Sequence, residues 1–368
     1  MQYREVPKTG EKLSVLGFGA MRMPMKPDKK TIDEPRAISQ IRLSIDKGVN
    51  YVDTAWPYHG GESEPLVAKA LADGYREKVK LATKLPVWLV NTREDMDSYL
   101  NQQLDRLKTD HIDYYLLHAL NQGSWENMHK LGALEFLEAA IADGRIRYAG
   151  FSFHGQLPAF KEITDAYPWT FCQIQYNYLD QQHQAGTAGL EYAAERDIAV
   201  IVMEPLRGGH LGKPTPPPAI AEILKRAENE RPPVEWALKW IWDRPDVTML
   251  LSGMNEEEHI EQNIAIADDS PPNCLTADER KLMDEVAAKY REIMKVPCTG
   301  CGYCLPCPHG VAIAEAFDIY NGMHLFGNES QAKMVYAMRL SGVLSSTEPS
   351  FASLCVNCGE CLPKCPQN

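Results

Sequence analysis

No run of about 18 apolar residues exists in this chain, so no membrane-spanning helix is expected. Met1–Ala20 lacks a cationic segment followed by a long apolar one, so no secretion signal is expected. No basic run offsets the net charge of −12 and the pI near 5.4, which argues against nucleic acid or anionic membrane as a partner. The chain therefore reads as soluble and cytoplasmic. Scattered, disulfide-style cysteines are also missing. Of the ten cysteines, Cys172 and Cys274 stand alone and read as ordinary thiols. The other eight fall into Cys298, Cys301, Cys304, Cys307 and Cys355, Cys358, Cys361, Cys365. Such tight spacing in an intracellular acidic chain points to metal. A complete G-x-G-x-x-G is absent too. After Leu16 the chain offers only G-F-G-A-M, so a doubly wound nucleotide-binding sheet lacks its fingerprint. No flavin-binding motif is visible.

What is present is a core and a rhythm. The chain has 368 residues, 44% of them hydrophobic. Apolar strands, such as Val79–Lys84, Ile112–His118 and Ile198–Met203, alternate with helical patterns, such as Met96, Leu100, Leu104 and Leu107. Leu131, Leu134, Leu137 and Ile141 predict one helix closed by Gly144. The alternation repeats about eight times over roughly 270 residues, the size of a (β/α)₈ barrel. The expected organisation is a barrel over residues 1–295 and a small, mainly helical domain over 296–368. Pro214–Pro218 reads as a rigid, exposed surface loop rather than a lid.

Polar residues gather where strands end. Asn50–Glu64 reads N-Y-V-D-T-A-W-P-Y-H-G-G-E-S-E: a strand ending in Asp53, a loop with Tyr58 and His59, and a helix starting at Glu62 or Ser63. Lys84 and His118 end the next two strands. Each alone has a dull explanation, as a solvated lysine or a hydrogen-bonded core histidine. On one barrel rim they converge, and the carboxyl ends of barrel strands carry the chemistry. An ammonium close to a phenol lowers its pKa from near 10, and Lys84 can do this to Tyr58 if Asp53 holds it by an ion pair. His118 donates to a carbonyl oxygen, and Tyr58 protonates it as hydride arrives at carbon. Trp56, Trp88 and Trp125 hint at an aromatic lining.

These motifs, D-T-A-x-x-Y-x-G-G-x-S-E, A-T-K and Y-L-L-H, resemble the aldo-keto reductase family from Leu13 to about Ala267. The resemblance implies a catalytic set of Asp53, Tyr58, Lys84 and His118 and a nicotinamide cofactor, NADH or NADPH, in the barrel mouth. It places cofactor contacts at Ala20, Met21, Asp53, Ser152, Gln173, Met203, Pro205, Leu206, Gly208, Gly253, His259, Gln262 and Asn263. Departures are visible. The family's G-x-S-N is G-F-S-F here, so Phe153 stands for the carboxamide-binding Asn, and Met203 stands for the aromatic that stacks on nicotinamide. Arg207, in the E-P-L-R-G-G loop resembling the pyrophosphate cover, reads equally as a phosphate contact or a surface residue. Gly253 and His259 replace the usual basic residues of the adenosine segment, and Glu256–Glu258 add carboxylates that repel a 2′-phosphate. Weak NADPH preference, or NADH use, is expected.

The second cysteine run, C-x₂-C-x₂-C-x₃-C-P, has the full spacing of bacterial ferredoxin runs, and the first is one residue short. Zinc ribbons use separated C-x₂-C pairs rather than triplets. One cluster with spare thiols remains an alternative to two. The segment resembles dicluster ferredoxin domains. By that analogy Cys298, Cys301, Cys304 and Cys365 hold one [4Fe–4S] cluster, and Cys355, Cys358, Cys361 and Cys307 the other. Hydride moves two electrons and a cluster one. The expectation is thus an oxidoreductase acting on a small carbonyl or alcohol, fused to a module for electron transfer to a partner protein, sensing or docking. The alternatives are a non-enzymatic nucleotide-binding redox sensor and a cluster-driven reductase without nicotinamide. Sequence leaves the substrate and the oligomeric state open.

Overall fold

The computed structural model describes residues 1–28, 31–342 and 348–367. By compactness these divide into two units, Met1–Pro205 with Leu238–Cys274, and Leu206–Ala237 with Leu275–Asn368.

In the first unit a hairpin, β1 (Tyr3–Glu5) and β2 (Lys12–Ser14), precedes the barrel. The barrel strands are β3 (Leu16–Gly19), β4 (Tyr51–Asp53), β5 (Lys80–Leu85), β6 (Ile112–Leu120), β7 (Ile146–Phe153), β8 (Phe171–Gln175), β9 (Ala199–Met203) and β10 (Val247–Ser252). All eight pair in parallel, and β10 closes on β3. The expected (β/α)₈ barrel is present. Helices Glu34–Asp46, Ser63–Ala70, Arg93–Leu107, Leu157–Ala166, Gly186–Ala194 and Glu257–Asp268 alternate with the strands.

Side chains alternate along a strand with a period of two, and this sorts the barrel into two faces. Inward residues Tyr51, Ala82, Tyr114, Leu116, Phe171, Ala199, Ile201, Met249 and Leu251 form one buried cluster with Val6 and Leu13 beside the hairpin. Tyr114 packs edge-on to Tyr51 and Phe171 at 5.2 and 5.0 Å between ring centres. Gly150 is the concession to those rings, since a Cβ there would lie 2.5 Å from Phe171. Outward residues meet helices: Phe151 and Phe153 both pack on Phe160.

Two local readings change. The helix expected around Leu131–Ile141 is Ala133–Ala142, beginning past Leu131, and a helix the pattern did not predict, Gln122–Lys130, precedes it. Gly132 at φ 76° breaks them apart, and the Asn121–Ser124 capping box starts the first. The proline run is not wholly exposed either: Pro217 is buried and precedes a short helix, Pro218–Leu224.

In the second unit Ala277–Ile293 begins with a Thr276–Glu279 capping box, and Glu279 pairs with Arg231 at 2.5 Å. Helices Ile313–Phe326 and Glu329–Leu340 pack through Ala316, Ile319 and Leu340, with Val335, Tyr336 and Phe351 alongside. The helical character expected over Val311–Leu340 is present as these two helices.

Candidate functional site

The strand period that fills the barrel also points its rim residues. Two positions beyond the inward Tyr51 comes Asp53, beyond Ala82 comes Lys84, and beyond Leu116 comes His118. Lys84 and Asp53 are nearly sealed from solvent, at 1% and 3% exposure. The Lys84 ammonium donates to Asp53 Oδ1 at 2.6 Å, to the Thr54 carbonyl at 2.9 Å and to the Tyr58 hydroxyl at 3.2 Å. Three of the four sequence-predicted polar residues, Asp53, Lys84 and Tyr58, therefore meet through hydrogen bonds. Tyr58 reaches the group from a short 3₁₀ turn, Tyr58–Gly61, whose His59 and Gly60 take φ values of 53° and 66°. His59 pins that turn to the loop after β3, its Nε2 accepting from the Met23 amide at 3.2 Å. Behind Lys84, Gln103 donates to the Lys84 carbonyl at 3.0 Å and to Glu64 at 2.8 Å.

His118 sits at a slip in the β6–β7 pairing between Leu117 and Leu120, beside Ala119 at φ 55°. Such bulges re-aim side chains next to active sites. The Tyr58 and His118 rings lie 6.0 Å apart and nearly perpendicular. Burial first, then the Lys84 charge, then His154, hold the imidazole well below its usual pKa. It is neutral, and its Nδ1 is buried without a hydrogen-bond partner. Of the three tryptophans, Trp88 is 51% exposed and stands 5.1 Å from His118. Trp56 instead lies 4.2 Å beneath the Arg106 guanidinium. Trp125 is buried, hydrogen-bonded to Glu162 and packed on Trp169, so it lines nothing.

The nucleotide residues divide. Ser152, Gln173, Met203 and Gly253 share the inward parity. Ser152 Oγ accepts from the Ala119 amide at 2.7 Å. Gln173 donates to Asp53 Oδ2 at 2.7 Å, so its amide braces the carboxylate. Met203 is half-buried. Ala20 is buried, its amide donating to the Asp53 carbonyl at 2.8 Å, and Met21 follows half-buried. A Cβ on Gly253 would come within 3.0 Å of Arg22 and 3.4 Å of the Gly19 carbonyl. Asn263 is buried and donates to Ser252 Oγ at 3.1 Å, whereas His259 and Gln262 are exposed. Pro205 ends the first unit's segment, and Leu206 and Gly208 belong to the second.

Three residues depart from the sequence reading. Phe153 does not face the mouth at all, because its parity turns it to the helix layer. The polar residue that β7 sends inward beyond Ser152 is His154. Arg36, from the first barrel helix, pairs with both Glu256 and Glu257, the latter at 2.5 Å. The repulsion expected from those carboxylates is thus partly neutralised. Arg207 is not a surface residue: it is 3% exposed and donates to the Pro297 carbonyl at 3.0 Å, one residue before Cys298.

The cysteine runs share a backbone. Gly300 and Asn357 take φ values of 68° and 59°, and Gly302 and Gly359 take 80° and 79°. The Gly300 amide donates to Cys298 Sγ and the Asn357 amide to Cys355 Sγ, each at 3.4 Å. Amide donors on sulfur suit a thiolate that carries negative charge. Burial first, then neighbouring Cys365, raises the Cys298 thiol; burial, then Cys301, and further Cys298 and Cys365, raise Cys304 to about 11. Cys298, Cys301, Cys304 and Cys365 are thus electrostatic neighbours. Among the described residues no three His, Cys, Asp or Glu group as ligands of a single ion would. The donor set and the repeated loop fit iron–sulfur clusters.

The profile of the Aldo/keto reductase family matches residues 15–287, and that of the 4Fe-4S dicluster domain matches residues 297–368. L-galactose dehydrogenase of Arabidopsis thaliana is 25% identical over 286 residues, 72% of this chain and 88% of that protein. Methylglyoxal reductase YeaE of Escherichia coli is 27% identical over 237 residues, covering 62% of this chain and 78% of its own length. The solved structure of aldo-keto reductase AKR11C1 from Bacillus halodurans, holo form, superposes with a TM-score of 0.65 at 25% identity, covering 78% of this chain and 96% of its own.

Proposed function

The chain belongs to the aldo/keto reductase family and carries a 4Fe-4S domain at its C-terminal end, and from that premise we propose that its barrel moves hydride between a nicotinamide nucleotide and a small carbonyl or alcohol. The observation that carries this reading is the Lys84 ammonium, bonded at once to Asp53 and to the Tyr58 hydroxyl. A cation beside a phenol favours loss of its proton. The nucleotide, when bound, supplies the hydride. Tyr58 delivers a proton to the carbonyl oxygen, and neutral His118 donates a hydrogen bond to that oxygen as charge builds on it. Asp53 holds the Lys84 ammonium in place. In the oxidative direction Tyr58 takes the alcohol's proton. The test is oxidation of NADH or NADPH by a carbonyl compound, dependent on Tyr58.

Ala20, Met21, Asp53, Ser152, Gln173, Met203, Pro205, Leu206, Gly208, Gly253, His259, Gln262 and Asn263 are the proposed nucleotide contacts. Met203 is suited to pack on the nicotinamide ring through its thioether. Arg36 is already engaged by two carboxylates, so a 2′-phosphate must compete with them for it. NADH is therefore expected to bind at least as tightly as NADPH. Fluorescence titration of both decides this, and a much tighter NADPH complex refutes it.

Residues 1–295 form the proposed reductase domain and 296–368 the iron–sulfur domain, with two [4Fe–4S] clusters. Cys298, Cys301, Cys304 and Cys365 hold one, and Cys355, Cys358, Cys361 and Cys307 the other. Each cubane takes four thiolates. Anaerobically purified protein should carry about eight irons and as many sulfides per chain, and Cys365→Ser should lose about half of both. Four irons in the parent protein would mean one cluster. The clusters are proposed to exchange single electrons with a partner protein, because hydride moves electrons in pairs.

A further inference from the structure

Lys84 and Tyr58 come from different segments, yet side chains of one helix hold the backbone of both. Gln103 and Arg106 are three apart on Arg93–Leu107, so they leave it on the same face. Gln103 is sealed from solvent and donates to the Lys84 carbonyl at 3.0 Å. Its own side-chain oxygen accepts from the Tyr115 hydroxyl at 2.8 Å, which fixes the end of the amide that faces Lys84. Arg106 donates through Nη2 to the Gly61 carbonyl, at the end of the turn that Tyr58 begins. Its guanidinium lies 4.2 Å over the Trp56 ring. The approach is close: a Cβ on Gly61, already at φ 100°, would stand 3.2 Å from Arg106 Nη2.

Between these two donors lies Glu64, in the first turn of Ser63–Ala70 and closed to solvent. Its Oε1 accepts from Gln103 Nε2 at 2.8 Å and from Thr83 Oγ1 at 2.6 Å. Its Oε2 has Arg106 Nε at 3.3 Å, an ion pair rather than an aligned hydrogen bond. One carboxyl group thus touches the residue before Lys84, the amide that binds the Lys84 carbonyl and the guanidinium that binds the Tyr58 turn. Burial raises the Glu64 pKa, and the Thr83 and Gln103 hydrogen bonds, then Arg106 and Lys84, oppose that rise. A buried carboxyl group is tolerated where its oxygens have partners. Here the partners are the groups that hold the proton-transfer pair.

We infer that Glu64 is a positioning residue for proton transfer: by engaging Gln103 and Arg106 together it keeps the backbones of Lys84 and of the Tyr58–Gly61 turn in one frame, and so sets the 3.2 Å contact between ammonium and phenol. The inference rests on the carbonyl-reductase reading and adds the group that governs its geometry. Glu64 touches no reacting atom. Position and charge act in opposite directions on Tyr58. Loss of the Glu64 charge alone favours a phenolate and lowers the Tyr58 pKa, whereas loss of the frame withdraws Lys84 and raises it. Asp53, Lys84 and His118, the other titratable groups of the site, stay the same in every variant below.

Three variants separate the two effects. Glu64→Asp keeps the charge and shortens the reach. Glu64→Gln keeps the shape, loses the charge and turns an amide donor towards Arg106 Nε. Arg106→Lys keeps its charge but cannot span both Glu64 and Gly61. Each is measured by steady-state reduction of 4-nitrobenzaldehyde and by ultraviolet titration without nucleotide against its own Tyr58→Phe counterpart, the difference being ionisation of Tyr58. All three should lower kcat by about 10–10²-fold, the scale of a displacement near 1 Å. KM for the aldehyde should stay within about twofold, and Tyr58 should ionise at a higher pH than in the parent. Parental kcat and titration in Glu64→Asp and Arg106→Lys overturn the inference. So does a Tyr58 titration that falls in Glu64→Gln and is unmoved in Glu64→Asp, the pattern of charge alone. Should melting show the Glu64 variants unfolded, Arg106→Lys decides, because that side chain is partly open to solvent. Absence of Tyr58-dependent turnover in the parent overturns the reductase reading, and the ultraviolet titrations then decide the inference by themselves.

Discussion

Tyr58→Phe is expected to lower kcat for carbonyl reduction by about 10²–10⁴-fold, the usual contribution of a positioned general acid. The substitution removes one oxygen and keeps the ring. That ring stands edge-on to His118 and has the Lys84 Nζ 4.8 Å from its centre, so its packing should survive. Nucleotide affinity and melting temperature should change little, which separates loss of a proton donor from loss of structure. Steady-state rates with both nucleotides, alongside a nucleotide titration of the variant, make the comparison. Unchanged turnover in the Phe variant would remove Tyr58 from the mechanism and leave Lys84 without a reason to touch it.

Lys84→Met has a different signature: it should abolish turnover and also cost about 3–5 kcal/mol of stability. The reason lies in burial. Asp53 and Lys84 are closed to solvent, and their carboxylate and ammonium meet at 2.6 Å. Removing the cation leaves a carboxylate with Gln173 as its remaining side-chain donor. The lone charge then has to be solvated by protein that cannot relax around it, or take up a proton. The double variant Asp53→Asn, Lys84→Met removes both charges and should regain much of the lost stability while staying inactive. Urea unfolding of the two single variants and the double one measures this coupling. Additive losses would show that the pair contributes independently rather than as a unit.

The barrel and its four rim residues were legible because both follow from strand periodicity. Residues two apart share a face, so a strand that ends in Asp53, Lys84 or His118 after inward apolar residues must aim them at the mouth. The same rule was not applied at β7. There the motif G-F-S-F drew attention to Phe153, while parity alone would have passed over it to His154. Arg36 was invisible because its partners Glu256 and Glu257 lie some 220 positions away in the chain. Trp125 was misassigned because a tryptophan near a strand end suits either a pocket or the layer behind it, and only the packing partner Trp169 decides. In the iron–sulfur segment, Cys298, Cys301, Cys304 and Cys365 were grouped by analogy.

Arg207 lies in the loop that follows β9, and its guanidinium grips the peptide just ahead of Cys298. Any shift of that peptide therefore reaches the turn at Leu206–Gly208 through one side chain.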